Sequence, residues 1–98
     1  MDKQFEPAQK GDAAAEPSWF VYMIECADGS LYTGITNNLE RRQQQHNEGT
    51  ASRYTRSRRP VVLRYHERCD NRSHALIREC SLKLLSRKEK QNLVQRGS

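Results

Sequence analysis

The stretch from Phe20 to Gly34, F-V-Y-M-I-E-C-A-D-G-S-L-Y-T-G, constrains this chain more than any other. Two runs rich in β-branched and aromatic residues flank Ala27-Asp28-Gly29, the sequence pattern of a β-hairpin. Loop length then decides which side chains share a face. A two-residue Asp28-Gly29 turn would set Tyr22 opposite Ile35 and Tyr32 opposite Glu25, with the two phenols on different faces. A three-residue loop with Gly29 left-handed as a bulge sets Tyr22 opposite Gly34 and Ile24 opposite Tyr32, so that all four share one face. The second register is preferred, because glycine opposite Tyr22 leaves an open notch beside two phenols rather than a gap in packing. Two hydroxyls over a notch make a candidate active site.

A chain of 98 residues fits one small domain with a limited core. It contains no long apolar run and opens with no secretory pattern, which leads us to expect a soluble, cytoplasmic protein. Its three cysteines, Cys26, Cys69 and Cys80, include no close pair, so a disulfide framework is not expected. The formal net charge is +5, unevenly spread. Residues 1–17 carry Asp2, Glu6, Asp12 and Glu16 against two lysines, whereas residues 41–68 carry eight arginines against Glu48 and Glu67. Such a concentration suits a polyanionic partner.

Residues 1–17, with two prolines, three consecutive alanines and few large apolar groups, read as a flexible leader to a domain spanning 18–95, with 96–98 a tail. After the hairpin, Asn37-x-x-Glu40 resembles a capping box, and Gly49 ends a polar run, giving a helix over about 38–48. Leu39 anchors one stripe of it to the sheet, so Arg42 and His46, four residues apart, project near the hairpin face. Residues 50–59 form a loop dense in hydroxyls and guanidinium groups. Arg53, Arg56, Arg58 and Arg59 are suited to phosphate oxygens, and Tyr54 to stacking on a base or sugar.

Val61 to Glu67 reads as a third strand, with Pro60 at its start. Asp70 or Asn71 then caps a helix running to about Leu85. On that helix Leu76, Ile77, Cys80 and Leu84 form one apolar arc, and Ala75, Leu82 and Leu85 another. Glu79 falls between them, beside buried surface, where a carboxylate needs a metal ion or an arginine as partner. Ser86-x-x-Glu89 is a second capping box and opens a helix from Arg87 to Gln95 that turns Leu93 and Val94 inward. His66, Cys69, His74 and Cys80 lack a paired C-x-x-C and straddle a strand end and a helix, which argues against a zinc site. The fold expected is α+β: a small, mainly antiparallel three-stranded sheet in the order β-β-α-β-α-α, flanked by helices.

Val21-Tyr22, then Tyr32-Thr33-Gly34, then Arg42, His46 and Glu79, resemble the signature of the GIY-YIG nuclease superfamily, and the length resembles its small standalone bacterial members. The likeness covers about residues 18–95. Phe20-Val21-Tyr22 stands for the first triplet and Tyr32-Thr33-Gly34 for the second, so both tyrosines and the last glycine are kept. The resemblance implies a metal-dependent endonuclease, acting on DNA in repair or structure processing, with Tyr22, Tyr32, Arg42, His46 and Glu79 catalytic. Asn92 resembles the family's late asparagine and joins the residues expected to bind the nucleic acid. The alternative is a nucleic-acid-binding module of the same fold with little or no catalysis.

Phosphodiester hydrolysis needs an activated water, neutralised charge on the phosphoryl oxygens and help for the leaving oxygen. One carboxylate is few for a two-metal site, so a single Mg²⁺ or Mn²⁺ at Glu79, completed by water and phosphate, is the expected cofactor. By resemblance one tyrosine, with Tyr32 favoured, takes a proton from the attacking water. A phenol of pKa about 10 is ionised to only about 0.1% at pH 7, so a neighbouring cation, Arg42 or the metal, is expected to lower that value. Arg42 also holds the scissile phosphate, His46 receives or positions a tyrosine proton, and Gly34 admits the phosphate close to the strand.

Overall fold

The computed structural model describes residues 18–97. The expected leader therefore lies outside the described residues. Three strands, β1 (Trp19–Glu25), β2 (Leu31–Thr36) and β3 (Val62–Cys69), form one antiparallel sheet in the order β2-β1-β3. Helix α1 (Leu39–Glu48) and a short turn of helix, α2 (Arg53–Arg56), follow β2, and α3 (Arg72–Lys83) and α4 (Arg87–Gly97) follow β3. The order is the expected one with α2 added. The fold is α+β.

The hairpin adopts the three-residue loop. Gly29 has φ +85°, and the Cys26 and Ser30 backbones close the loop, with Cys26 N–H donating to Ser30 at 2.8 Å. Asp28 stiffens it by accepting from the Ser30 N–H at 3.0 Å and from its hydroxyl at 2.6 Å. Tyr22 consequently faces Gly34, and Ile24 faces Tyr32.

β1 is the central strand, and Val21, Tyr22, Met23 and Ile24 are all buried because both faces of the sheet are covered. Val21 and Met23 pack with Tyr65, Cys69, Ala75 and Leu82 under α3, with Leu93 and Val94 of α4 alongside. Tyr22, Ile24, Cys26 and Val61 pack on the other face with Tyr32, Leu39 and Leu63. Leu63 and Tyr65 would share a face in a regular strand. They part because the β1–β3 register slips between Met23 and Ile24, leaving Arg64 as the extra residue of a bulge, its Nε donating to Glu25 at 2.8 Å. The bulge lets one edge strand feed both cores. On the α3 face, Arg78 grips Glu67 through two bonds of 2.8 and 2.9 Å, and the Tyr65 hydroxyl donates to the same carboxylate, which pins α3 to β3.

Several boundaries differ from expectation. The cap of α1 is Asn38, not Asn37: its side chain accepts from the Arg41 N–H at 3.0 Å, and Gly49 closes the helix at φ +84°. β3 runs on to Cys69 because its last residues still pair with Trp19 and Phe20. α3 starts after its Asn71 cap and ends at Lys83, and α4 reaches Gly97, past the expected end at Gln95. Of the two apolar arcs on α3, only the one with Ala75 and Leu82 is buried. Leu76, Ile77, Cys80 and Leu84 are exposed, since a helix lying on one sheet face buries one arc and no further layer covers the other among the described residues.

Candidate active site

The phenol of Tyr22 lies flat over Gly34. A Cβ on Gly34 would sit 2.6 Å from the Tyr22 hydroxyl oxygen, so the notch expected there is filled by Tyr22 itself. Gly34 thus makes room for a protein phenol, and the expected role of admitting a phosphate has no free space to use at that point.

α1 supplies the next groups. Its Asn47 side chain brackets the backbone of Val61 with bonds of 2.9 and 3.1 Å, and Gln43 accepts from the Leu63 N–H at 2.6 Å. These bonds stitch one edge of the helix to the entry of β3, and Leu39 packs into the core beneath. His46 is then driven under the sheet face at 1% exposure. Its Nε2 lies 2.9 Å from the Tyr22 hydroxyl and its Nδ1 lies 2.7 Å from the hydroxyl of Thr55, and its ring sits edge-on to both Tyr22 and Tyr32. Arg42, one turn earlier, is half-buried and makes no hydrogen bond or ion pair among the described residues. Its charge nevertheless reaches Tyr22 and His46.

The electrostatics follow from burial. Loss of water, with Arg42 adding to it, pushes the pKa of His46 down from 6.5 to about 4, so the imidazole is neutral at pH 7. Burial raises the pKa of Tyr22 well above that of a free phenol, the neighbouring Tyr32 and Glu79 raise it further, and Arg42 only partly offsets them. For Tyr22 the expected cationic lowering is therefore outweighed. With the phenol protonated and the imidazole neutral, the tautomer of His46 decides which of the two donates across the 2.9 Å contact. The Tyr32 hydroxyl, in contrast, has no partner among the described residues.

Glu79 comes from α3, which lies against β1 and β2 on the opposite face. Its side chain is 19% exposed and pairs with Lys83 at 3.3 Å, an i,i+4 partner that sequence spacing alone would have suggested. Glu79 is near enough for its charge to act on Tyr22. Among the described residues no three His, Cys, Asp or Glu side chains cluster as a metal cage, and His66, Cys69, His74 and Cys80 are not brought together as one. A lone carboxylate remains a fit for one hard cation that keeps most of its water. On the face that α3 covers, the Thr33 hydroxyl is buried without a protein partner, one further oxygen on the side from which Glu79 approaches.

The arginine-rich segment is more ordered than a loop, and its members differ. Ser52 caps α2 by accepting from the Thr55 N–H at 3.2 Å. Tyr54 stacks on Tyr32 with ring centroids 5.9 Å apart, and the Arg58 guanidinium lies over the Tyr54 ring, 3.9 Å from its centroid. Arg58 is tied to Asp28 at 3.1 Å and to the Tyr54 carbonyl at 2.8 Å, and Arg59 donates to the carbonyls of Arg56 and Asn47. The side chains of Arg53 and Arg56 are exposed and unpaired among the described residues. Asn92 is exposed on α4, with no hydrogen bond to any group of the site. Thr55 was absent from the sequence-based site. The usable signal was Ser52 three residues earlier, an N-cap that starts a helical turn and turns Thr55 back toward α1.

A hairpin bearing two phenols, a helix bearing Arg and His and a carboxylate brought from a third element together define a recognisable class of catalytic domain. Residues 18–92 match the family model described as the GIY-YIG catalytic domain, and the chain belongs to that family. Within it, the similar proteins are small ones of the UPF0213 group, bacterial and archaeal. A UPF0213 protein of Desulfotalea psychrophila is 55% identical over 81% of this chain and 73% of its own length. One of Haloquadratum walsbyi is 48% identical over 81% of this chain and 89% of its own. Among solved structures, the solution NMR structure of a UPF0213 protein from Bacillus halodurans is 38% identical, covers 80% of this chain and 83% of that one, and superposes with a TM-score of 0.51. That of a protein from E. faecalis is 40% identical, covers 80% and 84%, and superposes at 0.54. No helix among the described residues is long and apolar enough to cross a membrane.

Proposed function

We propose that this chain is a phosphodiester hydrolase acting on nucleic acid, DNA in the first instance, as an endonuclease. The observation that carries the reading is the 2.9 Å hydrogen bond between the buried Tyr22 hydroxyl and the neutral imidazole of His46. A phenol with a proton acceptor behind it need not be ionised beforehand. The attacking water gives a proton to the Tyr22 oxygen as the phenol's own proton passes to His46 Nε2, and the hydroxide so formed adds to phosphorus while the P–O bond to the leaving oxygen breaks. This relay favours Tyr22 over Tyr32 as the group that takes the water's proton, since the Tyr32 hydroxyl has no such acceptor among the described residues. Tyr32, with its hydroxyl unengaged, orients the water or donates to a phosphoryl oxygen. Arg42, near Tyr22 and without an ion pair among the described residues, holds the scissile phosphate where charge develops. Glu79 would hold one Mg²⁺ or Mn²⁺, releasing Lys83, and such an ion supplies neutralisation of phosphoryl charge when bound. Arg53 and Arg56 are free to follow the phosphate backbone, whereas Arg58 and Arg59 serve first to brace the segment.

The test is a cleavage panel of plasmid, flap, nicked and single-stranded DNA, with Mg²⁺ or with EDTA, run beside Glu79→Ala. Metal-dependent products that vanish in the variant support the reading. Binding without cleavage of any substrate, or identical products from both proteins, would turn it into a nucleic-acid-binding module of the same fold.

A further inference from the structure

The segment from Ser52 to Arg58 enters the reading above only as charge, yet its least exposed member is not an arginine. Thr55 is completely buried, its hydroxyl 2.7 Å from His46 Nδ1 and 3.5 Å from the Ser52 carbonyl. His46 and Tyr22 are buried to within 3%. Three hydroxyl or imidazole protons must therefore be placed among the few acceptors that the protein supplies. Suppose Thr55 donates to His46 Nδ1. The imidazole proton then sits on Nε2 and points at Tyr22, and the phenol's proton has no acceptor among the described residues. Suppose instead Thr55 donates to the Ser52 carbonyl. His46 Nδ1–H then donates to Thr55, Nε2 is bare, and Tyr22 donates to it, so every proton has a place.

We propose that Thr55 is a positioning residue for this site: by accepting the Nδ1–H of His46 it fixes the imidazole in the one tautomer whose free Nε2 faces Tyr22. The inference rests on the hydrolase reading, and it assigns α2 a task beyond electrostatics. Its neighbour Tyr54 supports the same assignment. Stacked on Tyr32 and held by the guanidinium of Arg58, which is itself anchored on Asp28, it steadies the second phenol. Consecutive residues of one helical turn thus hold the two tyrosines, one through a hydrogen-bonded imidazole and one through a ring face.

The test uses the full chain labelled with ¹⁵N at histidine, comparing wild type, Thr55→Val and Thr55→Ser at neutral pH. Long-range ¹H–¹⁵N spectra are expected to show His46 protonated on Nδ1 in wild type and in Thr55→Ser, and on Nε2 or mixed in Thr55→Val. On whichever DNA the wild type cleaves, Thr55→Val should lower kcat by about 10²-fold with KM little changed, and Thr55→Ser should restore most of it. A wild-type His46 protonated on Nε2, or a Thr55→Val variant that keeps the Nδ1–H tautomer, would overturn the proposal. Should Thr55→Val fail to fold, the wild-type spectrum alone decides. Because the spectrum is read without substrate, a protein that cleaves nothing would refute the hydrolase reading while leaving the tautomer assignment to stand or fall by itself.

Discussion

The two faces of the sheet are built on opposite principles. Under α3 and α4 the interior is nearly all hydrocarbon and sulfur, Val21, Met23, Cys69, Ala75 and Leu82, with Tyr65 turned so that its hydroxyl meets the Glu67–Arg78 pair near the rim. Under α1 and α2 the interior holds a histidine, a threonine and a tyrosine that are as dry as those aliphatic groups, joined in one line of hydrogen bonds. A fully apolar face gains stability from every methylene, whereas buried polar groups roughly break even when satisfied and are costly when not. A small domain with a limited core that spends part of its interior on a polar chain is using that part for something other than stability. Glu79 links the two: it stems from the stabilising face, and its charge acts on the functional one.

Substitutions sharpen the contrast. The largest effect on stability is expected from Leu82→Ala, fully buried on the apolar face, which should destabilise by about 2–5 kcal/mol in denaturant unfolding. Its cleavage rate, measured where it is still folded, should stay near that of wild type. Gly34→Ala comes next. The new Cβ collides with the Tyr22 phenol, so the ring must leave its bond to His46, at a cost of about 1–3 kcal/mol and with most activity lost. Loss of stability without loss of activity in Gly34→Ala would break the link between that glycine and the site.

The third is a pH effect. The folded protein holds His46 at a pKa of about 4, below its ordinary 6.5, so the unfolded chain binds a proton that the native state refuses. The associated stability is complete above pH 6.5 and is lost as pH falls toward 4, with a slope of at most about 1.4 kcal/mol per pH unit. His46→Gln should remove that slope. An unchanged slope would mean that the imidazole is not dry in solution.

Much of the site was legible because local chemistry determines it. Ala27-Asp28-Gly29 allows only two short loops, of which the bulged one sets Tyr22 opposite Gly34 as found, and the spacing of Arg42 and His46 puts both on the stripe that Leu39 pins down. What stayed hidden depends on contacts between distant segments. The bulge at Arg64 arises from register against β1, so the parting of Leu63 and Tyr65 has no sign in the strand's own pattern. The notch opposite Tyr22 disappeared because Tyr22 could tilt into the space, a matter of rotamer rather than register. Periodicity gave two apolar arcs on α3 with no means of telling which one the sheet would take. Thr55 was concealed by composition: surrounded by arginines and serines it looked like surface, and only the approach of α1 makes it core.

The most direct test of the account is single-turnover cleavage by Tyr22→Phe and Tyr32→Phe, with DNA binding measured in parallel. The proton relay predicts that Tyr22→Phe binds DNA as wild type does and cleaves it about 10²–10⁴-fold more slowly, a larger loss than in Tyr32→Phe. A Tyr22→Phe protein that cuts at the wild-type rate would contradict it.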